Sequence, residues 1–134
     1  MSDIQTVPPD PRMVKMVYWL YLLSLFFGPL MLAGLAMAHD QKRNNDQWIN
    51  SHYRFQIRTG WLNMLFALVI AFPALAVLGA AALGMATPSG LVLTLCGAAI
   101  GGVFLWWIMR CVRGLRLAFQ ESPIPNPKSW LFGG

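Results

Sequence analysis

The sequence predicts an all-α integral membrane bundle of three transmembrane helices, on three observations. Of the 134 residues, 57% are hydrophobic and only 11% are charged, whereas soluble domains carry about 25% charged residues. Uncharged runs cover 17–38, 60–87 and 91–109, and a spanning helix needs about 20 apolar residues. None of the runs alternates apolar and polar residues as the strands of a membrane barrel do. The runs therefore predict helices.

The first predicted span, 14–38, follows a polar arm over 1–12 that contains three prolines. Aromatic side chains near its start are typical of anchors at the membrane interface. Gly28 and Pro29 fall in its middle and predict a kink. A cleaved signal peptide is the alternative, but its apolar region would be about 7–15 residues long. We therefore expect the run to stay as a span.

The second and third spans are predicted at 60–86 and 91–112, joined by a tight turn at 87–90. Asp46 is a candidate N-cap for an amphipathic helix that leads into the second span along the cytoplasmic face. Pro73 predicts a bend in that span. The third helix is expected to continue to about Glu121, which gives a helical domain over 13–121. A proline-rich, extended tail over 122–134 follows it.

Charge predicts the orientation of these spans. With three spans, the loop after the first span and the C-terminal tail share one side. That side holds three acids, Asp40, Asp46 and Glu121, against eight cations: Lys42, Arg43, Arg54, Arg58, Arg110, Arg113, Arg116 and Lys128. Because cytoplasmic loops are enriched in Lys and Arg, this side is predicted to be cytoplasmic and the N-terminus to lie outside.

The segment 48–61 is polar and aromatic, and it stands between two apolar runs. On a helix, three of its polar residues and one beyond it share a stripe through their i, i+4, i+7 and i+11 spacing: His52, Gln56, Thr59 and Asn63. Our preferred interpretation is that the stripe satisfies neighbouring helices. The alternative is that it binds lipid or a partner. Catalysis by His52 is disfavoured, since no acid or nucleophile is placed to work with it.

An arginine-rich surface is predicted where the third span ends. No Asp or Glu occurs between Gln47 and Gln120. Interface anchoring by long side chains explains part of the pattern. Because arginine binds phosphate through two donors, the missing anions are most simply lipid phosphates, and next acids of a partner protein. The candidate lipid- or partner-binding residues are His52, Arg54, Gln56, Arg58, Trp107, Arg110, Arg113 and Arg116.

Small residues offer candidate positions for close helix packing. Gly97 and Gly101 form a G-x-x-x-G motif in the third span, and Ala76, Ala80 and Gly84 form a similar row in the second. We favour packing between these two spans over formation of a homodimer. No Cys or His spacing matches a metal site, so neither metal nor cofactor is expected. Nucleic acid is not an expected partner either.

Three segments carry a resemblance to a known family: Ser51–Thr59 (SHYRFQIRT), Arg110–Leu115 (RCVRGL) and Pro123–Phe132 (PIPNPKSWLF). Together they resemble a family of small uncharacterised bacterial inner-membrane proteins that carries a domain of unknown function. That family is distantly similar to a subunit of the chloroplast inner-envelope import translocon, which is described with four spans. The resemblance implies a multi-pass protein of the bacterial inner membrane. It supplies no catalytic or binding residues.

These patterns lead to one expected function and one alternative. We expect a non-enzymatic accessory or assembly protein whose basic, aromatic cytoplasmic face binds anionic lipid or a partner membrane complex. A homo-oligomer would be another form of that partner. The alternative is a subunit of a protein- or solute-translocation channel, with a path lined by the polar stripe. Against it, the spans contain no acid, and proton-coupled transporters usually use one.

Overall fold

The computed structural model describes residues 10–42, 47–85 and 87–132, and its regular structure in these ranges is helical. The four helices are α1 (Pro11–Leu23), α2 (Pro29–Gln41), α3 (Gln47–Ala82) and α4 (Gly90–Phe119). The predicted all-α class is confirmed. The prediction of three spans is wrong, because only α3 and α4 are long and apolar enough to cross a membrane.

The first predicted span is a helical hairpin. Asp10 caps α1 by accepting a hydrogen bond from the Arg12 amide at 2.9 Å. Pro29 begins α2, because a proline ring lacks the N–H needed to continue α1 and clashes with the preceding turn. The chain then folds back on itself, and a Cβ at Gly34 would lie only 2.8 Å from the Tyr21 ring. The predicted kink at Gly28 is therefore a complete reversal of direction.

The lengths of the helices explain why this hairpin does not cross a bilayer. Helices α1 and α2 have 13 residues each, or about 20 Å at 1.5 Å per residue. The hydrocarbon core of a bilayer is about 30 Å thick. By contrast, α3 has 36 residues and α4 has 30. Their apolar stretches are almost entirely unburied, which distinguishes them from the core helices of soluble proteins.

Both ends of the described chain lie at one end of the molecule. The Lys15 ammonium is 4.8 Å from the ring centroid of Phe119, so the start of α1 lies beside the end of α4. Ser51, near the start of α3, contacts Ile124 of the tail. We call this end the base: 10–18, 38–42, 47–58 and 110–132. The start of α1 thus lies at the same end as the tail, whereas the three-span prediction places the N-terminus on the opposite side.

Every charged residue that the structure describes belongs to the base, and the sequence contains no charge over 59–109. The described acids are Asp10, Asp40 and Glu121. The described cations are Arg12, Lys15, Lys42, Arg54, Arg58, Arg110, Arg113, Arg116 and Lys128. Helices α3 and α4 are thus joined, on the side away from the base, by a segment without charge.

The core is concentrated around the base and the hairpin. Its fully buried aromatic members are Tyr18, Tyr21, Tyr53, Phe55 and Trp107. Further from the base, large apolar side chains of α3 and α4 are exposed: Leu68, Phe72, Leu75, Leu93 and Leu95. The molecule therefore has a packed end that combines four helices and an apolar end that needs lipid or another protein around it.

The details of α3 and α4 agree in part with their predicted bounds. Helix α3 starts at Gln47 and passes through Pro73 without a break. Ser89 caps α4, accepting a hydrogen bond from the Val92 amide at 3.4 Å. The predicted N-cap, Asp46, lies outside the described residues. The tail after Phe119 contains no helix in its described part, as its alternating prolines predict.

The predicted packing of small residues between the two spans is not found. A Cβ added at Gly97, Gly101 or Gly84 would meet no atom within 4 Å. Ala76 is exposed and Ala80 is only partly covered. The close glycine contacts lie elsewhere, because Gly114 packs against Tyr18 and Gly60 against Leu35. Helices α3 and α4 do touch, but through the large rings of Phe66 and Trp106, whose centroids are 5.2 Å apart.

The arrangement of α3 and α4 as two spans predicts a specific labelling pattern in membranes. We expect single cysteines placed at exposed Arg12 and Lys128 to react with an impermeant maleimide from one side, and a cysteine at Thr87 only from the other. The background would carry Cys96→Ser and Cys111→Ala, since both native cysteines are free. Intact cells and inverted vesicles supply the two sides. Joint labelling of positions 12 and 87 from one side would restore the three-span topology.

Candidate functional site

The polar stripe on α3 is directed into the packed end of the molecule. The His52 Nε2 atom lies 2.9 Å from the carbonyl oxygen of Ser122, and Nδ1 lies 3.0 Å from the Tyr18 hydroxyl. Since a carbonyl can only accept, Nε2 carries the proton and Nδ1 accepts from Tyr18 when the ring is neutral. The Trp48 and Tyr18 rings both stand edge-on to the imidazole. His52 is thus fully enclosed.

The next residues of the stripe hold α1 against α3. The Gln56 Nε2 atom donates to the carbonyl of Val14 at 2.9 Å, and the Tyr21 hydroxyl donates to the carbonyl of Gln56 at 3.0 Å. Thr59 donates to the carbonyl of Phe55 at 2.6 Å. Buried polar groups of this kind are stable only when they are hydrogen-bonded. The stripe therefore packs against neighbouring elements, as the preferred interpretation expects, although the Gln56 Oε1 atom has no partner among the described residues.

This placement corrects part of the predicted binding surface. His52 and Gln56 have no exposed surface, so neither can meet a lipid or a partner in this conformation. The Asn63 amide, further along, contacts the sulfur of Met31 at 3.2 Å. Within one copy of the chain, His52, Gln56 and Thr59 are occupied by contacts with α1, α4 and the tail.

Arg110 is also buried, although it was predicted to reach phosphate. Its Nε donates to the Thr59 hydroxyl at 2.6 Å, and its Nη1 donates to the carbonyl of Leu131. The guanidinium lies 4.0 Å from the ring centroid of Phe55, a distance at which a cation and an aromatic face attract. Nη2 is buried without a partner among the described residues. Arg110 therefore joins α3, α4 and the tail.

Trp107 is also a buried side chain that joins separate helices. Its indole N–H donates to the carbonyl of Tyr21 at 3.2 Å, and the two rings are 5.2 Å apart. Trp107 is 2% exposed. Its predicted role in binding lipid is therefore replaced by one in joining α4 to α1.

The C-terminal tail lies against the helices, a contact that sequence reasoning missed. The Ile124 amide donates to the Ser51 hydroxyl at 3.0 Å, and the Ile124 side chain is buried. The Trp106 indole donates to the carbonyl of Trp130 at 3.1 Å. One signal was present, since a β-branched apolar residue between two prolines is unusual in a solvated linker.

Four of the predicted cations remain at the surface. Arg54, Arg113 and Arg116 are exposed, and Arg58 is half-buried. The Arg58 guanidinium lies 5.4 Å from the ring centroid of Trp130, and its Nε is buried without a hydrogen-bond partner among the described residues.

Two of these arginines line a groove of about 280 Å³, which we call the cationic groove: Lys42, Arg54, Ile57, Arg58, Pro127 and Lys128. It brings together the end of α2, the first turns of α3 and the tail. Lys42 and Lys128 were absent from the predicted site, because they are far apart in sequence and only the folded tail brings them close. Four of the six lining residues are cations and none is an acid.

A second, larger space of about 430 Å³ opens beside the hairpin tip. Its walls come from the tip, α3 and α4, and they are apolar, with Leu25 and Phe104 among them, except for Ser24 and Asn63. It lies beyond the charged base, at the level of the uncharged segment. Its chemistry suits hydrocarbon and offers no reactive group.

No group of three or more His, Cys, Asp or Glu side chains is placed to hold a metal ion in the described part of the chain. Comparisons of the chain with models of protein families, with curated proteins and with solved structures found no match.

Proposed function

We propose that this protein is a non-enzymatic accessory or assembly protein of a bacterial inner membrane, and that its base binds anionic lipid headgroups. The observation that carries the proposal is the cationic groove, in which four cations converge without an acid. Opposite charges are the simplest complement to such a surface. A partner complex with acidic residues would meet the same chemistry and remains part of the proposal.

The position of the base relative to the spans supports lipid as the ligand. Arg58 lies one residue before the uncharged segment 59–109, so the groove sits where a bilayer's headgroups would begin. Basic residues at such a position each gain about 1 kcal/mol from an anionic leaflet. The concentration of Lys and Arg at the base also favours a cytoplasmic base under the positive-inside rule. In that orientation, both the N-terminus and the tail are cytoplasmic.

The family resemblance agrees with this proposal in one respect. The segments Ser51–Thr59, Arg110–Leu115 and Pro123–Phe132, on which the resemblance rests, all contribute to the base. Membership of that bacterial inner-membrane family is accordingly part of what we propose.

Removal of the four surface arginines tests the function. We expect the quadruple change of Arg54, Arg58, Arg113 and Arg116 to Gln, which lowers the net charge from +5 to +1, to reduce anionic lipid co-purified in mild detergent several-fold. Mass spectrometry would give the ratio of anionic to zwitterionic phospholipid per protein. Arg110 stays unchanged because it is a core residue.

A matched control changes an equal number of uncharged, exposed residues of the spans to serine: Ala76, Ala82, Ala98 and Ala99. We expect this control to keep the lipid ratio of the wild type. An unchanged ratio in the arginine variant, together with an unchanged set of co-purified proteins, would contradict the proposed function.

A further inference from the structure

We propose that the cationic groove is a discrete binding site for one phosphate group, either of a lipid headgroup or of a free phosphate compound. The inference rests on the proposed function and goes further than it. A diffuse basic surface attracts any anion in proportion to charge, whereas this groove would bind one phosphate at one place through Arg54, Arg58, Lys42 and Lys128.

Positive charge converges on the cationic groove from separate parts of the chain. Lys42 follows α2, Arg54 and Arg58 lie one turn apart on α3, and Lys128 belongs to the tail. None of the four makes an ion pair with a residue that the structure describes. Like charges held close together repel each other, so an anion bound between them would relieve an unfavourable arrangement that folding creates.

Arg58 has a hydrogen-bond donor that the described residues do not use. The Nε atom of Arg58 is buried and has no partner in the described part of the chain. A buried N–H without a hydrogen bond is costly, and the guanidinium is held against Trp130 rather than free in water. Arginine presents paired donors that match two phosphate oxygens. Because the Nε atom is shielded in this conformation, the Arg58 side chain would turn towards the groove to donate to a phosphate oxygen.

The fourth cation of the groove, Lys128, lies on a tail that is held against the helices. Ile124 is buried and bonded to Ser51, and the Lys128 amide donates to the Asn126 side chain at 3.2 Å. Trp130 then returns to the helices, where its carbonyl accepts from Trp106. These contacts on both sides of Lys128 restrict its backbone, so less entropy is lost when its side chain meets a ligand.

The groove's size and walls fit a phosphate better than a larger anion. At about 280 Å³, it has room for a phosphate and several waters, since each water occupies about 30 Å³ in the liquid. Ile57 and Pro127 supply its apolar walls. A phosphomonoester carries a charge of about −1.5 to −2 at neutral pH, which four nearby cations can neutralise.

The test is a titration of the full chain in uncharged detergent at constant ionic strength, followed by calorimetry. Inorganic phosphate and dihexanoyl phosphatidic acid are the two probes, and dihexanoyl phosphatidylcholine is the reference for apolar binding. The groove variant combines Arg54→Gln with Lys128→Gln. The control variant combines Arg12→Gln with Lys15→Gln, which removes the same charge from positions on α1 outside the groove.

We expect saturable binding of one probe molecule per chain, weakened by about tenfold or more in the groove variant, as for loss of charge-assisted hydrogen bonds. The control variant should change affinity by less than about twofold, through long-range charge alone. Arg12, Arg54 and Lys128 are exposed and Lys15 is partly exposed, and thermal unfolding would check that both variants remain folded. Binding of both probes would identify phosphate itself as sufficient, and binding of phosphatidic acid alone would identify a lipid headgroup; either result supports the site.

Two results would overturn the site. Equal weakening in the groove and control variants would show diffuse attraction, and the proposed function would survive without a discrete site. Absence of saturable binding of either phosphate probe would also remove the site. The proposed function fails separately, when the four-arginine variant keeps its anionic lipid.

Discussion

Replacing Gly114 with alanine is expected to destabilise the base by about 1–3 kcal/mol, the usual cost of adding atoms to a packed core. The new Cβ would overlap the Cζ atom of Tyr18 and lie 2.5 Å from its hydroxyl oxygen. The Tyr18 ring is 1% exposed and its hydroxyl is bonded to His52. Relief of the clash must therefore separate α1 from α4 or break that hydrogen bond.

Helix propensity acts in the opposite direction at this position. Alanine is favoured over glycine inside a helix by about 1 kcal/mol, so any measured loss understates the steric cost. Gly101→Ala is the matched control on the same helix, because a Cβ there meets nothing within 4 Å. Thermal unfolding in detergent, followed by circular dichroism, would compare the two. Equal midpoints for Gly114→Ala and Gly101→Ala would show that Tyr18 does not pack on α4 as described.

Replacing Arg110 with alanine is expected to lower the free energy of unfolding by about 2–5 kcal/mol, as other large-to-alanine changes in cores do. The side chain is fully buried, and its loss leaves a cavity beside Phe55 and Thr59. It also removes the donor to the carbonyl of Leu131. The tail should therefore loosen along with the core, which limited proteolysis of a C-terminally tagged chain would detect.

Two further variants separate these effects. Arg110→Met fills most of the space without a charge, and a core without an unpaired buried cation is often as stable or more stable. We expect it to restore the unfolding midpoint but not the protection of the tail. Arg113→Ala, at an exposed position, should leave both unchanged. Full protection of the tail in Arg110→Met would mean that Ile124 and Trp130 hold it without Arg110.

The helical class and both spanning helices followed from long uncharged runs, because burial in hydrocarbon demands apolar residues over a fixed length. The first run misled the prediction for the same reason. A single span and a hairpin that enters partway have the same composition over 17–38. Which one forms depends on Gly34 accepting Tyr21 at close range, and such a long-range contact is invisible in the local pattern.

The candidate site residues were likewise predictable from the sequence only in part. Periodicity identified His52, Gln56 and Thr59 as one face, and the structure uses that face for packing. Sequence could not separate Arg110 from Arg113, since both follow the same apolar run. Because the two arginines are three positions apart on the helix, they point in different directions, and Arg110 lies in the core whereas Arg113 is exposed. The role of Lys128 required the tail to fold back, which proline content alone does not predict.

The short hairpin of α1 and α2 also determines how much room the protein takes in each half of a bilayer. Its tip carries Phe26 and Phe27, which are 83% and 70% exposed, and it ends beside the middle of the longer helices. A cross-section near the base therefore cuts four helices, whereas one near Thr87 cuts only two. A molecule with this taper displaces more lipid from one leaflet than from the other.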